Sequence, residues 1–535
     1  MYNKGLFNDW VPKPVQLLLI VLFMAVIMPV SGIYTGNISF MVGGAGAMTE
    51  HYMMANYASA IGMGAVMPIA LRLKLRFKVR HKVTSVLVAL AILLFISGTT
   101  LNPWIIIINS LLIGLLKMMI SMEFILPLIM MIPKKGVFYG VLYGFILILS
   151  QISGYYSAEF SILFNYKDFF LFTAIICLVM AAVSWIFMHN QYFGLKMPLY
   201  YIDWMSMVLF VSSFSMLAYV LSFGRQQDWF NSDYIIWNTI GFIVSFVILV
   251  FRQSFFKRPF LSFKIFKKNN VQHGLFMLFC LGMYMALGSM QTTFAVGILQ
   301  YDQLTNAKLS ILMIPGLLVG AIVAIIWYKN DLNTRMYVFS GFGAMLMFTI
   351  IMYFSMVPEM NFERWYLPMF LKGYGMCTLF IAIWYYTMDN LDVADLLPAF
   401  GFVLCWRTFI TIGIWSALFS WVQYQFQIQA VGDLAVHWDS LVVNQQAAMT
   451  NLKSVQLNAI LVANKKLLGY VVIAGFMVQI YVFLHHFGRQ KMGRSKFVRL
   501  LKGKAYIAKR RRREELLLQK TANQMKDIGG GIGSL

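Results

Sequence analysis

Charge is scarce in this chain. Only 12% of its 535 residues are charged, and acids are scarcer than bases, 20 against 43. Soluble domains carry about a quarter charged residues, so a water-solvated globular body is excluded. Cysteine is scarcer still: Cys177, Cys280, Cys377 and Cys405 all fall in apolar stretches without paired spacing, which excludes a disulfide framework and a thiolate metal site. The seven histidines form no metalloprotease pattern and no acyltransferase-like His followed four positions later by Asp. No Gly-rich loop with Lys offers a phosphate cradle. Neither an enzyme nor a resident cofactor or metal is expected.

What the chain has is apolar length. Sixty per cent of it is hydrophobic and the mean hydropathy is +0.72. Fourteen stretches, from 15–36 to 467–487, are each long enough to cross a bilayer at about 20 residues per span, which predicts an all-α polytopic membrane protein. Of the 43 Lys and Arg, 33 fall in alternate gaps, 7 in the others and 3 within spans. The positive-inside rule then puts both termini in the cytoplasm and requires an even span count. The first span lacks a small-residue cleavage site and is expected to be retained. The run from Lys509 to Arg513 reads as a topology signal that touches anionic headgroups, and nucleic acid is not expected as a partner.

Basic gaps around Lys196 and from Arg252 to Lys268 divide the spans into six, two and six. Residues 1–196 form an expected N-terminal half, 197–268 an inserted two-helix hairpin, 269–488 a C-terminal half, and 489–535 a basic tail. Six basic residues from Arg72 to Lys82 follow the second span, and Lys329 and Arg335 follow the second span of the later half. A faint echo of this kind is what parallel half-repeats leave. The acids Asp389, Asp392 and Asp395 break it. Residues 425–466 form the one long gap on the other side, with apolar spacing that supports helix; it reads either as a solvated hairpin or as a docking surface.

Asp203, Trp204, Leu221, Gly224, Asp228 and Trp229, followed by Arg258, Pro259, Leu261 and Phe266, resemble the seventh to eighth span region of the fourteen-span drug:proton antiporters, the EmrB/QacA type of the major facilitator superfamily. Gln300, Pro315 and Gly316 resemble its ninth to tenth spans, and Gly373, Gly375, Arg407 and Gly413 its twelfth to thirteenth. The resemblance implies a major facilitator fold with 14 transmembrane helices (6 + 2 + 6) in a bacterial inner membrane. It also implies efflux of drugs or amphipathic small molecules against an inward flow of protons, and a periplasmic membrane-fusion adaptor with an outer-membrane channel. The first half departs from the pattern. Gly32 stands where the first-span acid belongs, counted from Asn37, a plain basic run fills 72–82, Ser110 replaces an Arg, and the fifth-span motif is reduced to Gly154. An importer or uniporter of the same fold, or an uncoupled binding or scaffold protein, stays open as an alternative.

Ionisable groups inside a bilayer are costly and mark function by default. Glu123 in the fourth span is the first candidate for a protonation switch, alternatively a paired structural charge, and Glu159 near the far end of the fifth is the second. Lys117 lies six residues before Glu123, about 240° around a helix, so the two need different partners. Arg407, mid-span in the thirteenth, could hold an anionic substrate group by paired hydrogen bonds; Lys372 in the twelfth could snorkel outward. Three positive charges against two negative lean toward anionic or zwitterionic amphiphiles. Rings such as Tyr155 and Trp406 could line a promiscuous cavity, and the ionised groups are expected to face a shared water-accessible chamber between the two halves.

Overall fold

The computed structural model describes residues 5–32, 38, 41–44, 46–132, 134–193, 199, 202–256, 259–389, 391, 393–438, 445–485 and 487. Asn37, Lys196, Arg258, Asp392 and the tail 489–535 lie outside these. In hydrocarbon a backbone must satisfy its own polar groups, which leaves helices as the form for long apolar segments. Fourteen of them are long and apolar enough to cross a membrane. They are α1 (Lys13–Val30), α2 (Thr49–Arg76), α3 (Val79–Thr99), α4 (Pro103–Ile129), α5 (Lys135–Leu163), α6 (Tyr166–Phe187) and α7 (Trp204–Phe223). The rest are α8 (Asp233–Phe255), α9 (Asn269–Ile298), α10 (Gln303–Lys329), α11 (Thr334–Ser355), α12 (Phe362–Met388), α13 (Asp395–Leu434) and α14 (Leu452–Leu484).

Local chemistry sets several boundaries. Asn102 accepts a hydrogen bond from the Trp104 amide at 3.0 Å with Pro103 at the first helical position, which starts α4. Asn165 and Asp168 form a capping box at α6, and Asp203 caps α7 through the Ser206 amide. Four spans lose α regularity partway: α1 tightens to a 3-10 turn over Met28–Gly32, α9 widens to a π-helix over Thr293–Ile298, α10 breaks at Met313, and α13 widens to a π-helix over Arg407–Gly413. Such irregular turns concentrate at functional positions.

Helix α2 packs on α4 and α3 on α6, α12 on α10 and α11, and α7 pairs with α8 while also resting on α2. Within each half, small residues allow backbones to touch, as membrane packing favours. Gly62 of α2 lies against the Leu111 carbonyl of α4 and Gly114 against that of Ser59; Gly316 of α10 lies against the Phe370 carbonyl of α12 and Gly373 against that of Met313. The two halves meet along α2 with α13 and α5 with α10. A Cβ on Gly401 would sit 2.7 Å from the Gly64 carbonyl oxygen, and one on Gly144 would sit 2.6 Å from the Ala321 Cβ. The face that carries the Arg72–Lys82 loop, here the basic face, is also tied by Lys134, whose Nζ donates to Asp331 at 3.2 Å and to the Lys329 carbonyl at 2.7 Å.

Helix α7 leans on α2 and on the π stretch of α13, where Phe214 and Phe409 rings lie 5.3 Å apart. Helix α8 is outermost and turns Trp237, Val247 and Phe251 to the lipid. The long gap is helical at its described residues: α13 continues to Trp438, and the last helix begins at Gln445 and runs 40 residues, about 60 Å at 1.5 Å per residue. Both therefore project well beyond a 30 Å hydrocarbon layer. Gln423 and Asn464 bridge them at 2.8 Å and Phe426 stacks on Tyr470.

Candidate functional site

The predicted charges separate into three places. Lys117 of α4 and Arg407 of α13 come from opposite halves, and the Arg407 charge is one of those that bear on Lys117. Each is about 12 residues, roughly 18 Å, from the basic end of its helix, so both lie near mid-depth. Lys117 donates to the Met28 carbonyl at 2.5 Å, where α1 passes from α to 3-10. That partner lies on another helix, as the angular separation from Glu123 requires.

Arg407 opens the π stretch of α13 and is half-buried. Its guanidinium carbon stands 5.4 Å from the Phe380 ring centre. Phe380 and Trp384 are one turn apart on α12, and Tyr143 of α5 crosses the seam to meet both, stacked at 6.4 Å and 5.8 Å. The buried Arg407 Nε and Trp384 Nε1 both lack a hydrogen-bond acceptor among the described residues. A buried donor without an acceptor costs about 1–3 kcal/mol. The centre of the seam is thus a patch of donors and positive charge walled by rings.

Glu123 is elsewhere. It lies toward the basic end of α4, buried, in ion pairs with Lys82 of α3 and with Lys74 of α2 at 3.7 Å. Lys74 Nζ also donates to the Glu123 carbonyl at 3.1 Å and sits 4.1 Å from the Phe193 ring centre. The geometry therefore matches the paired structural charge. Lys74 and Lys82 were counted as loop charges by hydropathy; the second span runs on to Arg76 and turns Lys74 inward, 1% exposed.

Glu159 keeps partial exposure on α5, one turn from Tyr155, and a Cβ on nearby Gly154 would meet nothing within 4 Å. Lys372 does not snorkel. It is 6% exposed inside the C-terminal half, donates to Gln291 Oε1 of α9 at 2.8 Å and faces the Phe348 ring, because its helix is buried nearly all round. Trp406 points back into its own half, its indole N–H given to the Leu275 carbonyl at 3.2 Å. Three cavities lie toward the basic face or between α7 and α8, and neither Lys117 nor Arg407 lines any of these three. Tyr143, Phe380 and Trp384 are buried at the seam, where the open chamber was expected.

On the basic face, Asp203 at the start of α7 receives the Arg252 guanidinium of α8 at 2.9 Å and the Ser206 amide and hydroxyl. Burial alone would raise its carboxyl pKa; the Arg252 and Ser206 hydrogen bonds and the Arg252 charge outweigh that and hold it below the usual carboxylate range. No group of His, Cys, Asp and Glu able to hold a metal exists among the described residues.

Architecture and span count define a class: a fourteen-span helical membrane protein with the major facilitator fold. No family model matches the chain. It is similar to the probable multidrug resistance protein EmrY of Escherichia coli (strain K12), 26% identical over 176 residues that cover 31% of this chain and 33% of that protein. The match thus spans about a third of that relative's length. Among solved structures, a bacterial homolog of the human lysosomal transporter Spinster, inward-facing and unoccupied, superposes with a TM-score of 0.52 at 10% identity. The superposition covers 89% of this chain and 98% of that one. The nucleoside transporter NupG covers 88% and 99% at 12% identity, with a TM-score of 0.42 that carries no argument. The first of these relatives is named for multidrug resistance and the superposed structure for transport. The chain thus has the major facilitator fold with fourteen candidate spans among the described residues, the fold its sequence led one to expect.

Proposed function

We propose that the chain is a secondary transporter that exports amphiphilic small molecules bearing an anionic group, by alternating access of its two halves about the Lys117–Arg407 centre. The observation that supports this reading is the acceptor-less Arg407 Nε and Trp384 Nε1 among stacked rings at the seam, with Lys117 of the opposite half at a similar depth. Like charges brought together in a low-dielectric interior repel. An anion between them removes the repulsion and supplies the missing acceptors, while its apolar part stacks on Tyr143, Phe380 and Trp384. A ligand that bridges both halves favours one arrangement over the other, which is the differential affinity that a conformational cycle requires.

The packed seam corresponds to a state closed on the basic face, held by the Gly64–Gly401 approach and the Lys134–Asp331 pair. Proton coupling falls to Glu159, the in-span carboxylate that keeps solvent access, and Glu123 serves as a clamp. The charge skew supports a cytoplasmic basic face with both termini on that side of a bacterial inner membrane. The likeness to a protein named for multidrug resistance supports efflux. An adaptor leading to an outer-membrane channel would engage the projecting α13–α14 hairpin.

The test is transport by the full chain in liposomes under an imposed pH gradient, with a fluorescent amphiphilic anion and its cationic isostere. The anion should move from the basic-face side against proton entry, and Arg407→Leu should slow it thirtyfold or more, from about 2 kcal/mol for a lost buried charge-assisted bond. Equal movement of the cation, unaffected by Arg407→Leu, would overturn the substrate assignment; loss of proton movement with retained flux in Glu159→Gln would identify the coupling acid.

A further inference from the structure

A cavity of about 590 Å³ lies on the basic face of the N-terminal half, where α3 begins and α6 ends, and the transport reading makes no use of it. Arg76, Lys78 and His81 stand around it, Phe77, Trp185 and Tyr192 wall it, and no acid lines it. Its shape is fixed by backbone pairing: Lys78 bridges antiparallel to Tyr192, and the Val79 and Arg80 amides donate to the Gln191 and His189 carbonyls at 3.1 and 3.3 Å. Arg80 lays its guanidinium over the Trp185 ring at 4.6 Å, and its buried Nε has no acceptor among the described residues. His81 meets the same ring edge-on at 5.3 Å.

The chemistry changes with depth. Basic groups and an unsatisfied donor occupy the level of the headgroups, and Trp185 and Tyr192 occupy the interface where such rings collect. Ser85 and Met119 line the deeper end. Below it Val88 and Ile92 of α3 and Ile175 and Leu178 of α6 are exposed to the lipid. A soluble anion would use only the top of this sequence; a phospholipid matches all of it. Basic pockets between helices on the cytoplasmic side are where anionic headgroups bind.

We infer that this groove is a binding site for an anionic phospholipid, with the phosphate among Arg76, Lys78 and His81, Arg80 adding charge from its place on Trp185, and the acyl chains along α3 and α6. Lys82 lines the groove and also bonds Glu123, so the bound lipid abuts the α2–α3–α4 clamp.

The experiment uses the full-length protein in vesicles of phosphatidylethanolamine with phosphatidylglycerol, read by native mass spectrometry after mild detergent release. The parent should retain a phosphatidylglycerol that the double variant Arg76→Gln, Lys78→Gln binds about thirtyfold more weakly, at about fivefold per basic residue. The matched double variant Lys264→Gln, Lys267→Gln should retain it. Brominated-chain phosphatidylglycerol should quench Trp185 fluorescence, measured as the difference from Trp185→Phe, and brominated-chain phosphatidylcholine should not. Equal quenching by both lipids, or equal loss in the two double variants, would overturn the site. Displacement by inorganic phosphate or glycerol phosphate as effectively as by lipid would overturn the lipid and assign a soluble anion.

Discussion

Replacing Glu123 by Gln separates a clamp from a proton carrier. In the structure one carboxylate serves two buried ammonium groups, Lys74 and Lys82, brought to it by two other helices. Removing one partner of a buried pair costs about 3–5 kcal/mol, because the remaining charge is stranded. Lys74 keeps the Glu123 and Met122 carbonyls at 3.1 and 3.4 Å, whereas Lys82 keeps only the Leu73 carbonyl at 3.5 Å. Most of the loss should therefore fall on Lys82, and the total should lie near the lower figure, about 3 kcal/mol. Thermal unfolding in detergent, followed by the loss of monodisperse protein, should show a clear drop in midpoint for Glu123→Gln. Adding Lys82→Met should restore much of it, since no stranded ammonium is left on α3. Transport per folded molecule should keep its proton coupling. A Glu123→Gln protein as stable as its parent that moves substrate without protons would refute the clamp and return Glu123 to the coupling role.

The remaining expectations concern the seam and the hairpin. Gly401→Ala places a methyl 2.7 Å from the Gly64 carbonyl and the Met67 Cβ; the overpacking, about 1–3 kcal/mol, should part α2 from α13, and buried Cys405 should react with maleimide many times faster than in the parent. Asp331→Asn removes an exposed ion pair worth at most about 1 kcal/mol, so the unfolding midpoint should hardly move; a large drop would mean that the pair does more than close the basic face. Asp203 has a folded-state pKa below its unfolded one, so its contribution is present above the ordinary carboxylate range and is lost as pH falls through the folded value. Hydrogen exchange at the start of α7 and the end of α8 should therefore quicken below about pH 4 and become insensitive to acid in Asp203→Asn.

The spans were legible because each needs only length and apolarity, and hydropathy measures both. What hydropathy missed is where a span ends in charge. The second span reads as finished at 71, yet its helix continues through Lys74 to Arg76. Alternate residues on a helix are about 200° apart, so the even-looking basic run Arg72, Lys74, Arg76 hides one inward residue between two outward ones. Glu123 was singled out as a buried charge, but its partners sit 49 and 41 residues earlier on other helices, and one sequence carries no sign of that pairing. Lys372 shows the reverse error: its distance from the helix end suggested snorkelling, while the burial of α12 on nearly all sides left no route outward. The chamber could not be read at all, since opening is a property of a state and the same rings that would line an open cavity fill a closed one.

The faint half-repeat in the loops is much plainer in the packing. In each half the fourth helix sends a lysine to the first: Lys117 to the Met28 carbonyl, and Lys372 to the Gln291 side chain. Both contacts fall where the first helix departs from α geometry, at the 3-10 turn from Met28 and just before the π turn from Thr293. In each half, too, a glycine of the second helix and one of the fourth each meet the other helix's backbone, Gly62 against Leu111 and Gly114 against Ser59 on one side, Gly316 against Phe370 and Gly373 against Met313 on the other. Those glycines draw the fourth helix close to the second and fix the level at which its lysine meets the first. The two halves then differ in one respect that matters for function. Lys372 is enclosed within its own half, whereas Lys117 lies where Arg407 of the other half can act on it. A shared internal brace thus stands, on one side alone, as a charge near the boundary between the halves, where an anion of the proposed class would touch both at once.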